Sequence, residues 1–230
     1  MTFAYDAKSV GSGAGDPVTI AHTCSASTKL LVVIVADDTQ VRIGGVPSYD
    51  SVAMTDSGEG VVDCNDLGKV FLEVFYLIGP STGSEENVSV PNTNTDGLYI
   101  SVISFEADGT VSKHASNSGE AADADPSIDV TTTYDNGLMV GGLAHDLATG
   151  TVVGANYTEI YTVEIPGAKS YSGEYDLDYG SSGGTAVNWT ADADDWGLIG
   201  LAFEEAGGPD LNVAIVPSDP AYWVPGVKIV

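Results

Sequence analysis

Lys29–Ala36 reads KLLVVIVA, an unbroken apolar run flanked by polar residues, and forty positions on Lys69–Ile78 reads KVFLEVFYLI. Runs of this length, rich in β-branched residues, mark strands buried on both faces rather than one. Around them the chain alternates strand and turn. Thr19–Thr23 alternates polar with apolar, Val41–Val46 ends on Gly44-Gly45, Pro80–Gly83 (PSTG) is a turn, and Asn87–Val90 starts a further strand. No helical period interrupts the order, so the expected class is all-β.

The pattern continues downstream. Asp96-Gly97 and Asp108-Gly109 are turn signals on either side of a strand at Leu98–Glu106. Further strands are expected at Ser127–Thr132, Gly137–His145 (GLMVGGLAH), Thr151–Val153, Tyr157–Val163, Thr185–Thr190 and Trp196–Glu204 (WGLIGLAFE). Ser170–Asp178 alternates Tyr171, Tyr175 and Leu177 with small and acidic residues, as a half-exposed strand would. Ser116–Asp125 (SNSGEAADAD) is polar and acidic and reads as an exposed loop. About a dozen strands at spacings near ten residues predict an antiparallel β-sandwich, jelly-roll-like, over residues 1–206. At Gly207-Gly208 the pattern stops, and Pro209–Val230 carries four prolines, so 207–230 is expected to be an extended C-terminal arm.

Charge is the outlier. The 230 residues hold 33 Asp plus Glu against 7 Lys plus Arg, a formal net charge of −26, and Arg42 is the one arginine. Such a field repels nucleic acid and anionic membranes. It suits a solvated surface in a salt-rich setting, a basic partner, or cations. Met1 opens MTFAYDA without a basic or apolar leader, so no conventional secretory signal is expected, and no 18-residue apolar run is present. Cys24 and Cys64 fit either a disulfide or two free thiols, and the absence of C-x-x-C argues against zinc or thiol redox chemistry.

Chemistry-bearing residues are few. The histidines are His22, His114 and His145, and none accompanies a Gly-x-Ser-x-Gly elbow. A glycosidase would need paired carboxylates beside aromatic platforms. Trp189, Trp196, Tyr171, Tyr175 and Tyr179 could form the platforms, but core and strand-face positions explain them more simply. Calcium wants six to eight oxygens from closely spaced carboxylates. The candidate ligands are Asp123, Asp125 and Asp129, and Asp192, Asp194 and Asp195, although neither set has EF-hand spacing. In the arm, Val213, Ile215, Tyr222, Trp223, Val224 and Ile229 are candidate anchors for a partner.

His22-Thr23, Leu30–Val33, Gly44–Val46, Tyr76–Gly83 and Val88–Val90 follow one another in an order that resembles a β-sandwich domain of tailed-phage virion proteins and some large surface proteins. In those, a His-Thr strand edge leads to an LLVV strand, a GG-V turn, a YL-I-P-TG segment and a V-V strand. The resemblance covers about the first 90 residues. It implies a non-enzymatic virion structural protein, a capsid decoration or head-fibre-like component, present in many copies or as a homo-oligomer on the particle surface. Its partners would be capsid or other virion proteins, reached partly through the C-terminal arm, with no nucleic acid and no membrane. No cofactor is expected beyond a possible calcium ion. The alternative is a carbohydrate-binding or adhesion module on a virion or cell surface, helped by calcium.

Overall fold

The computed structural model describes residues 3–37, 43–60, 62–63, 71–93, 97–146, 151–165 and 169–206, and among them there is no helix. The first half holds β1 (Ala4–Gly13), β2 (Val18–Thr23), β3 (Thr28–Asp37), β4 (Ser48–Tyr49), β5 (Val52–Ala53), β6 (Thr55–Asp56), β7 (Val62–Asp63), β8 (Phe71–Ile78), β9 (Glu85–Val90) and β10 (Leu98–Glu106). The second holds β11 (Thr110–Asp123), β12 (Ser127–Thr132), β13 (Leu138–His145), β14 (Val152–Val153), β15 (Thr158–Ile165), β16 (Lys169–Asp176), β17 (Gly183–Thr190) and β18 (Asp194–Ala206). Every pairing is antiparallel.

The strand orders reveal a duplication. In the first half, one sheet runs β1-β10-β3-β8-β6, with β7 also on β8, and the other runs β2-β9-β4-β5. In the second half the sheets run β11-β18-β13-β16-β15 and β12-β17-β14. Apart from the short β5 and β7, which the second half lacks among its described residues, these are the same jelly-roll order. The register agrees at single residues. Leu30–Asp37 of β3 matches Leu138–His145 of β13 without a gap, and Phe105-Glu106 of β10 matches Phe203-Glu204 of β18. Both units carry a bulge at the same place, at Asp6 opposite Phe105/Ser104 and at His114 opposite Phe203/Ala202. The block 1–206 thus holds two jelly-roll units in tandem.

The units stack through their larger sheets, giving four layers and three cores. The central core joins Leu30, Val32, Ile34, Leu72, Val74 and Phe105 of the first unit to Leu138, Val140, Tyr171, Tyr175, Leu201 and Phe203 of the second. Behind it, Leu31, Val33, Val35, Phe75, Ile100 and Val102 pack against Val18, Val88 and Val90. On the far side, Met139, Leu143, Leu198 and Trp196 pack against Ile128, Val130, Val187 and Trp189. The inner sheets therefore bury both faces, which is why KLLVVIVA is continuously apolar. The outer β12 shows strict alternation instead, exposed then buried along Ser127–Thr132.

Two expectations are corrected. The segment Ser116–Asp125 is a strand as far as Asp123: β11 pairs along its whole length with β18 as the edge of an inner sheet. An edge strand keeps one side toward water, so its small and acidic residues are tolerated. Ser170–Asp178 is not half-exposed either, because Ser170–Tyr175 within β16 is buried throughout. Its polar face is satisfied inside: Ser170 Oγ meets Thr151 Oγ1 at 2.9 Å, and Ser172 Oγ accepts the Trp189 indole N–H at 3.0 Å. The expected arm 207–230, with Val213, Ile215, Tyr222, Trp223, Val224 and Ile229, lies outside the described residues, as does Cys64. Cys24 is a buried thiol, and burial raises its pKa.

Candidate functional site

The chemistry of the second unit concentrates at one end of its inner sheet. Residue pairing sets Asp123 of β11 opposite Asp194 of β18. On the other side of β18, His145 of β13 faces Trp196, and the ladder extends one step further as the Asp146 N–H donates to the Asp195 carbonyl at 2.9 Å. Carboxylates from β18 and from the end of β13 thereby meet. Oxygens of Asp146, Asp194 and Asp195 all lie within 4.8 Å of one another. Calcium holds oxygens at about 2.3–2.6 Å, so ligands up to about 5 Å apart share one ion. Three half-buried carboxylates this close repel one another, and a divalent cation would relieve that repulsion.

Of the six aspartates expected to hold calcium, the structure brings Asp194 and Asp195 into this trio. Asp123 stands beside it with its Oδ1 taken by the Trp196 indole N–H at 2.7 Å. Asp192 offers its backbone carbonyl to the His145 Nε2–H at 3.1 Å. Asp125 sits in a left-handed turn at φ 57°, and Asp129 points to solvent from the outer sheet. None of these four joins the trio. Asp146 was not among the expected ligands. Its only sequence signal is its place directly after a doubly buried strand, beside the strand that starts at Asp194.

In the first unit the polar residues form a chain instead. The bulge aims Asp6 inward, where Oδ2 accepts from the Ser104 hydroxyl at 2.7 Å, the Thr28 hydroxyl at 2.6 Å and the Ser25 N–H at 3.1 Å. With its proton committed to Asp6, Ser104 accepts from the His22 Nε2–H at 3.1 Å, which leaves Nδ1 to accept from Ser9 Oγ at 3.0 Å. Burial pushes the Asp6 pKa up, but these donors outweigh it and hold the carboxyl below its ordinary value. Burial lowers the His22 pKa against the pull of Asp6, which favours the neutral imidazole. The carboxylate orients a serine and not the imidazole, and the chain ties β1, β2, β3 and β10 together. His22 is thus a satisfied structural histidine. His114, at the matching bulge, accepts from the Thr133 N–H at 2.9 Å and turns Nδ1 toward Glu204 Oε2, 3.9 Å away.

The candidate sugar platforms are core residues. Trp189, Trp196, Tyr171, Tyr175 and Tyr179 are each no more than 8% exposed. No family model, curated protein or solved structure matches the chain.

Proposed function

We propose that the chain is a non-enzymatic structural component of a virus particle, of the capsid-decoration or head-fibre type, bound in many copies to neighbouring protein subunits. The observation that supports this reading is the place of four of the seven exposed large apolar side chains. Tyr5 and Val10 on β1, Val52 on β5 and Val152 on β14 are between 42% and 57% exposed, and each strand is the outer edge of its sheet. A sheet edge presents unpaired N–H and C=O groups that a neighbour's strand can complete, and apolar side chains beside it add burial. The net charge of −26 favours a protein partner with basic groups over nucleic acid. The anchors Tyr222 and Trp223 of the C-terminal segment would supply a second contact. Jelly-roll sandwiches recur in capsid proteins and in lectins.

The test is co-sedimentation of the full chain with undecorated particles from the same source. Binding is expected, and it should fall when Val10, Val52 and Val152 are together replaced by Lys, or when 207–230 is removed. Failure of the unaltered chain to sediment with particles would remove the reading. The calcium-assisted adhesion module is the second reading. The Asp146–Asp194–Asp195 trio favours it, whereas the burial of the aromatic platforms counts against its sugar-binding half.

A further inference from the structure

A cavity of about 260 Å³ opens in the second unit where β16 and β17 meet. Asn156 and Tyr157 line it from the turn after β14, Asp176 and Tyr179 from the end of β16, and Thr185 and Asn188 from β17. The lining is two amides, two phenols, a hydroxyl and a carboxylate. The protein's own bonds use part of this set: the Tyr157 hydroxyl donates to the Ala186 carbonyl at 3.0 Å, and Asp176 Oδ1 accepts from the Asp178 N–H at 3.0 Å. The Tyr179 hydroxyl is buried beside the Thr132 side chain.

Behind the cavity lies Glu174, fully buried on β16. Its Oε2 accepts the Gly154 N–H at 3.1 Å, and the Asn188 backbone lies beside the same carboxyl. Its Oε1 has no hydrogen-bond partner. Burial raises its pKa to about 8, so the group is protonated at neutral pH. The duplication provides an internal control. Glu174 pairs with Gly141, and the matching residue of β3, Val33, pairs with Phe75. The jelly roll is thus built with a phenylalanine at this position in the first unit, and the fold does not call for a carboxyl there.

We propose that the cavity binds a small polyhydroxylated ligand, a single hexose or a polyol of that size. The lining has no Lys or Arg to hold an anion, and its one carboxylate is too little for calcium. It is too polar for a hydrocarbon. Mixed donors and acceptors with the half-buried Tyr157 ring as a wall suit a sugar ring, which offers hydroxyls at its rim and C–H groups on its faces. The volume lies below the roughly 300–1,000 Å³ of drug-sized sites, which suits one ring and not a chain of them. The inference stands apart from the particle reading, since it concerns neither the sheet edges nor the C-terminal segment.

The test titrates the full chain separately with D-glucose, D-galactose, D-mannose, glycerol and calcium chloride, read by calorimetry and by ligand-observed NMR. At least one of the three hexoses should bind with a Kd in the millimolar range or tighter. Asp176→Ala and Thr185→Val should each weaken that binding by roughly tenfold or more, as expected for lost ligand hydrogen bonds. Asp194→Asn, at the distant acidic end, should leave it unchanged. Thr185→Val keeps shape and volume, so it decides the matter if Asp176→Ala fails to fold. No binding by any hexose, binding indifferent to Thr185→Val, or calcium binding abolished by Asp176→Ala would each overturn the proposal.

Discussion

The two jelly-roll units share a strand order, a bulge and a common core, yet they solve packing differently. The first fills its inner sheet with branched side chains: Val33, Ile34, Phe75 and Val74 occupy positions that the second gives to Gly141, Gly142, Glu174 and Gly173. These glycines are sockets. A Cβ on Gly142 would come within 2.9 Å of Ile34 Cγ2, and one on Gly173 within 3.1 Å of Ile34 Cδ1, so the first unit's side chains seat on a flat part of the second. On the opposite face a Cβ on Gly141 would meet Val187 Cγ1 at 2.5 Å, and one on Gly200 would meet Val130 Cγ2 at 2.8 Å. Duplicated sheets with identical large residues would collide, and complementary sizes let them interlock at native density. Both units bury a carboxyl group, Glu73 on β8 of the first and Glu174 on β16 of the second, and the second also carries the acidic end.

That contrast can be broken most strongly with pH. Glu174 has a folded pKa of about 8 against an ordinary 4.5, so its folded form prefers the proton. Stability from this group is complete below about pH 4.5 and is lost as pH rises toward about 8. Each pH step of one between those values removes about 1.4 kcal/mol, roughly 4–5 kcal/mol in all. Glu174→Gln should abolish that part of the decline. Denaturant midpoints of the two proteins should differ little at pH 5 and diverge at pH 9, with the variant the more stable. Equal pH profiles would contradict the buried carboxyl.

The socket comes next. Gly142→Val should cost roughly 3 kcal/mol through overpacking against Ile34, lowering Tm by about 6–12 °C for a chain of this size. Adding Ile34→Ala should recover part of the loss, because the two side chains compete for one space. Strict additivity of the two changes would show that the sheets do not interlock there.

Twin bulges should respond unequally. Asp6→Ala strands the hydroxyls of Thr28 and Ser104 and the N–H of Ser25, for a cost of roughly 2 kcal/mol. His114→Ala at the matching position should cost under about 1 kcal/mol, since its Thr133 contact is exposed. Urea titration of each variant measures both.

The smallest effect is expected from calcium. Saturating calcium chloride should raise Tm by a few degrees, as mass action on the folded state requires. Asp146→Asn should remove that rise, whereas Asp129→Asn should not. Equal loss in both variants would return the effect to nonspecific screening of a highly acidic surface.

Much of this fold is legible in the sequence. KLLVVIVA declares a doubly buried strand, and Leu98–Glu106 and Ser127–Thr132 fall on their expected bounds. What misleads is polarity taken for exposure. Ser170 and Ser172 are polar and buried because partners from Thr151 and Trp189, near or far in sequence, satisfy them, and Glu174 is buried with Gly154 bonded to one of its oxygens. The duplication is hard to see in the sequence because its identities are sparse: Leu30 with Leu138, Val32 with Val140, Ala36 with Ala144 and Phe105-Glu106 with Phe203-Glu204. Most other matched positions differ in size because the interlocking faces demand it. At the acidic end, Asp194 and Asp195 can be picked out as neighbours in sequence. Asp146 cannot, since only strand register brings it to them.

The claim on which the rest depends is that two units share one central core and stand or fall together. Native-state hydrogen exchange under increasing denaturant reads this directly. Amides of β3, β8 and β10 and those of β13, β16 and β18 should merge into one global opening, with equal free energy and equal denaturant dependence. If the two sets opened separately, with one unit exchanging while the other stayed protected, the shared core would not be what holds the stack together.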